Sequence, residues 1–137
     1  MGDHMVWVVC IGVSAVLVFL FRFLVKKKIE SLHERVELNE IYLTVSDSIS
    51  IKNFTDVFNA LGDSYSIDPR VLRPEDSLSK LDKLDSWVLG AGADKMNKWL
   101  ECRGLSDFEA EPRTIYDLLF LVESQAQYLG HPQNKRD

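Results

Sequence analysis

The sequence predicts an all-α fold: one N-terminal helix of membrane-spanning length, then a small bundle of three or four helices. Three observations predict it. Residues 6–25 read VWVVCIGVSAVLVFLFRFLV and run straight into Lys26, Lys27 and Lys28. Two later stretches, around Phe54 and around Leu118, repeat their apolar residues with a helical period. Thr114 and Asp117 stand three apart at the head of the second stretch, as they do where a helix begins.

The first stretch covers about 30 Å at helical rise, the thickness of a bilayer's hydrocarbon core. Arg22 is its one charge and lies near the lysine end, where a long side chain snorkels to the headgroups. A cleaved signal peptide would carry its positive charge before the apolar run and small residues after it. Here Met1 to Met5 hold only Asp3 and His4, the lysines follow, and no cleavage pattern is seen. The remaining chain of about 110 residues is small for enclosing such a helix as a buried core element. The expectation is a single-pass cell-membrane protein. Lys26–Lys28 face the cytoplasm, so the N-terminus lies outside and the C-terminal domain inside. Trp7 fits an interfacial anchor at the outer end.

The chain divides by composition. Residues 1–28, the anchor with its basic collar, hold four Lys/Arg against one acid, a net of +3. Residues 29–137 hold the other twelve Lys/Arg against twenty acids, a net of −8. An acidic domain argues against nucleic acid, whose phosphates require a basic face. It suits a basic partner protein. Of the two cysteines, Cys10 lies in the anchor and Cys102 in a helical stretch, so they cannot bridge internally. The histidines at 4, 33 and 131 are scattered, which disfavours a zinc site.

Residues 29–48 are expected as a juxtamembrane stalk that continues the anchor helix. Ile29, Leu32 and Val36 line one side of it. A homodimer through a short coiled coil is one use of such a stalk; a monomeric stalk or a helix packed on its own domain are others. Residues 41–51 fit either a hairpin about Ser46-Asp47-Ser48 or a helix with Ile41, Val45 and Ile49 on one face.

Residues 49–129 are expected as the helical domain. Phe54, Val57, Phe58 and Leu61 define a helix from about Ser50, with Gly62 as its stop. Pro69 and Pro74 then impose a long connection, which Ile67, Val71, Leu72, Leu78, Leu81, Leu84 and Trp87 peg onto the core. Met96, Trp99 and Leu100 give a short apolar face that ends at Gly104. The last helix opens at Thr114 and buries Ile115, Leu118, Leu119, Val122 and Tyr128. Core positions are thus Phe54, Phe58, Leu61, Trp87, Trp99, Leu118 and Leu119, and residues 130–137 form a frayed tail. Asp82 and Asp85 read as solvated surface charge rather than a catalytic pair. Cys102 reads as half-buried packing. The Gly90/Gly92 segment lacks the βαβ setting of a dinucleotide loop and reads as a turn before a helix.

This order of elements resembles the acyl-carrier-protein fold over roughly residues 49–123. Leu78 stands eight residues before Ser86, inside Asp85-Ser86-Trp87, and Ser86 stands twenty-eight before Thr114-Ile115. In that family the matching serine carries a 4'-phosphopantetheine arm, so the resemblance implies Ser86 as the attachment point in a working carrier. A serine at a helix start suits a phosphodiester anion. Asp76-Ser77-Leu78 repeats the triplet literally but stands farther from Thr114. The stretch IDPRVLRPEDSL followed by a tryptophan is more similar to an uncharacterised bacterial group of carrier-like domains without a clear attachment serine. In that group Ser86 would be an ordinary cap or loop residue. The expected function is therefore a membrane-tethered, non-catalytic interaction module without a cofactor. A membrane-anchored carrier and a small subunit of a membrane complex are the alternatives.

Overall fold

The computed structural model describes residues 2–31, 33–87, 90–105 and 110–130, without the side chains of residues 29, 30, 86 and 87. The chain forms α1 (Gly2–Glu30), α2 (Leu38–Leu43), α3 (Ile51–Tyr65), a 3₁₀ turn (Pro69–Val71), α4 (Leu78–Trp87), α5 (Gly92–Cys102) and α6 (Ile115–Gly130). The fold is all-α, and its one pairing of extended backbone among the described residues is a single bridge between Ser77 and Thr114.

α1 stands apart from the bundle along almost all its length. Gly2–Lys28 has a mean hydropathy of 2.7, and none of its apolar window is buried. It is long and apolar enough to cross a membrane. Its contacts with the rest of the protein include α4, and Val25, near its C-terminal end, packs against the core.

The expected stalk is not a continuous helix. α1 ends at Glu30, and residues 34–37 have no regular secondary structure. Val36 packs partly buried against the core, and its N–H donates to the Arg70 carbonyl at 3.2 Å. The helical reading of residues 41–51 holds for its apolar face. Ile41, Val45 and Ile49 are all buried, with α2 and a following turn in place of a hairpin. The folded domain thus begins well before residue 49.

α3 is the central element, in contact with α5, α6 and the 3₁₀ turn. Ser50 caps it, and Phe54, Val57, Phe58 and Leu61 form its buried face, with the Phe54 and Phe58 rings stacked 4.3 Å apart. Gly62 is not its stop. The helix runs on to Tyr65 and reverses at Ser66, whose φ of 55° is left-handed. Gly62 serves close approach instead: a Cβ there would lie 3.0 Å from the Ile67 carbonyl oxygen and 3.2 Å from the Pro69 ring.

The long connection expected up to Trp87 holds only to Ser77. Val71 and Leu72 are fully buried pegs, as expected, but Leu78–Trp87 is helix α4. Leu78, Leu81 and Leu84 share one helical face there, and Leu81 is 2 % exposed. α5 buries Met96 and Leu100 and ends just before Gly104, whose φ of +71° favours glycine. Trp99 is corrected from core to rim. It is half-buried, with the Arg103 guanidinium 4.3 Å above its ring, because it lies at the edge of the α5 apolar face. Trp87's side chain and residues 131–137 lie outside the described residues.

α6 begins with a full capping box. Asp117 N–H donates to Thr114 Oγ1 at 3.2 Å, and Asp117 Oδ2 accepts from Thr114 N–H at 3.1 Å. Ile115, Leu118, Leu119 and Val122 are buried. Tyr128 is 74 % exposed, since the last turns of α6 extend past the bundle.

Candidate functional site

The starts of α4 and α6 are stapled together by backbone. Leu78 N–H donates to the Arg113 carbonyl at 2.9 Å, Ile115 N–H to Asp76 at 3.0 Å, and Tyr116 N–H to Pro74 at 2.7 Å. These bonds satisfy amides that each helix start leaves without an intrahelical acceptor. They also hold the two helices apart by a fixed amount. An open groove of about 1230 Å³ lies between them, lined among others by Leu78, Asp82, Glu111, Tyr116, Phe120 and Leu121. Tyr116 and Phe120 are 40 % and 55 % exposed and one helical turn apart.

Behind the groove lies a polar cluster. Tyr65, 8 % exposed, donates its hydroxyl hydrogen bond to Asp82. Burial raises its phenol above the ordinary tyrosine range, and the Asp82 hydrogen bond and charge raise it further. Asp85 is also 8 % exposed and accepts from Gly92 N–H at 2.7 Å, fixing the start of α5. Asp82 and Asp85 are therefore not solvated surface charges. Each has a structural partner, which sequence spacing alone does not reveal.

A second contact network ties the segment after α1 to this region. Nε2–H of His33 meets Asp76 Oδ1 at 2.7 Å, and Asp76 Oδ2 accepts from Arg73 N–H at 2.8 Å. Arg73 Nη2 reaches the Glu34 carbonyl at 2.6 Å. Arg70 pairs with Asp68 at 2.8 Å, and this guanidinium holds the Asp68 carboxyl below its usual range.

The predicted site residues fall in separate places. Trp7, Arg22, Lys26, Lys27 and Lys28 are all exposed on α1. Ser86 lies in the last turn of α4 rather than at a helix start. That placement is a correction, and its cause is the α4 helix formed by Leu78, Leu81 and Leu84. Asp76-Ser77-Leu78 does stand at a helix start, with Ser77 in the bridge to Thr114. Cys102 is exposed, not half-buried, because it ends α5 on its outer side. Among the described residues no group of three or more His, Cys, Asp or Glu could hold a metal ion.

Sequence reasoning passed over Tyr116 and Phe120. The signal was present: both are large aromatics that lie off the stripe of Ile115, Leu118, Leu119 and Val122. No protein-family model matches the chain, and no curated protein or solved structure is significantly similar to it.

Proposed function

We propose that this chain is a membrane-tethered, non-catalytic interaction module. α1 crosses the bilayer with its N-terminus outside, the Lys26–Lys28 collar meets the cytoplasmic headgroups, and the acidic helical domain is presented there to a partner. One observation carries the reading. α1 exposes its whole apolar window, while the bundle beyond it closes around a core of its own. An apolar run of this length is strongly unfavourable in water, which supports a hydrophobic environment around it. Holding a binding domain at a surface raises its effective concentration for any partner that also resides there.

The test has two arms. Full-length protein should stay in the membrane pellet after alkaline carbonate extraction. Protease added outside intact cells should leave residues beyond Lys28 uncut. Release into the aqueous fraction, or digestion of the domain from outside, overturns the proposal.

A further inference from the structure

We infer that the groove between α4 and α6 docks a basic amphipathic helix from a partner protein; this rests on the tethered-module reading above. The groove's lining is largely apolar in side-chain bulk, with Leu78, Tyr116, Phe120 and Leu121 among it. Its charged lining holds Asp82, Glu111 and Asp117 against Arg113 alone. The chain as a whole carries a formal net charge of −5, so the surroundings reinforce that sign. This combination of apolar and acidic lining is complementary to a helix with Leu or Phe on one face and Lys or Arg beside it.

Other occupants fit less well. A groove this large and open exceeds the usual 300–1000 Å³, roughly, of a small-molecule pocket. An anionic lipid would meet repulsion from the same carboxylates. β-Addition needs a free strand edge, and the described residues form only the single Ser77–Thr114 bridge. Tyr116 and Phe120, one turn apart on α6, match the spacing at which a docked helix presents its own anchors. The backbone staple between residues 74–78 and 113–116 keeps the groove open without a partner, which lowers the ordering cost of binding.

The experiment uses the full chain in phosphatidylcholine nanodiscs. A fluorescein-labelled leucine/lysine amphipathic helix is titrated by anisotropy, with a leucine/glutamate helix as its counterpart. Saturable binding of the lysine peptide is expected, weakened about tenfold by Phe120→Ser or Tyr116→Ser, as for truncated aromatic anchors. Glu111→Lys should weaken it too, while Asp47→Lys, an exposed acid on the turn after α2, should not. Equal binding of the glutamate peptide overturns the inference. So does weakening by Asp47→Lys that matches Glu111→Lys while Phe120→Ser is neutral. Any of these results in a chain that resists carbonate extraction sinks the groove assignment and leaves the tether standing.

Discussion

His33 Nε2 lies 2.7 Å from Asp76 Oδ1, a contact that spans forty-three residues of chain. It joins the segment leaving α1 to the turn just before α4. With Val36 N–H on Arg70 and Arg73 on Glu34, it turns what sequence suggested as a stalk into a clamp.

Loosening that clamp should free the segment without unfolding the bundle. His33→Ala removes one hydrogen bond and Arg73→Ala removes three, worth about 1 kcal/mol apiece. Amide exchange at Val36 should accelerate markedly, while amides in the middle of α3 keep their protection. Equal loss of protection in both places would mean that the clamp and the core are one cooperative unit.

Glu123 ties α6 to the start of α3. It accepts from Asn53 Nδ2 at 2.7 Å and from Ser50 N–H and Oγ at 3.0 Å each. The Asn53 amide, and then the Ser50 N–H, lower its carboxyl below the ordinary value of 4.5. A lowered folded-state value means that the unfolded chain binds the proton more readily. The contribution is complete above about pH 4.5 and fades as pH falls through the folded-state value. Glu123→Gln should cost about 1 kcal/mol at neutral pH, and the gap from the natural chain should narrow in acid. Circular-dichroism melts at neutral and acidic pH read both effects.

Gly92→Ala should destabilise the protein although helix propensity alone favours alanine. An added Cβ would lie 2.4 Å from Tyr65 Cδ1 and 2.9 Å from Asp85 Oδ2, so the buried pair must shift. Overpacking of this kind costs about 1–3 kcal/mol. Gly130→Ala, with nothing within 4 Å, is the matched control and should be neutral or slightly stabilising in the same melts.

Tyr65→Phe deletes the donor to Asp82 and leaves a carboxylate short of one partner, at a cost of about 1–2 kcal/mol. The natural chain should lose stability above about pH 10, where an unfolded tyrosine ionises and the buried one does not. The variant lacks that titration, so its alkaline loss should be smaller. Ultraviolet titration alongside unfolding should show Tyr65 ionising only as the fold is lost.

The apolar period carried most of the fold. Phe54, Phe58 and Leu61 on α3, and Leu118 and Leu119 on α6, are buried where their spacing put them. Local capping chemistry was equally readable at Thr114 and Asp117. What failed depended on distant neighbours. Gly62 resembles a terminator until the Pro69 ring is beside it, and Asp85 resembles surface charge until Gly92 N–H reaches it. Val36 suits a coiled-coil seam equally well by spacing, and only its packing against the core shows where the side chain goes. The groove was hidden for the same reason. Its walls come from two helix starts some thirty-seven residues apart, Ser77 and Thr114, and no local pattern records that meeting.

Val25 has a further consequence. It belongs by composition to the apolar run, yet the bundle covers part of it. A loose connector of the same length would let the domain wander about 15 Å and tumble freely. If α1 spans a bilayer as proposed, this contact brings the bundle close to the headgroups and restricts its swing about the anchor. A partner in the same leaflet would then search for it in two dimensions instead of three.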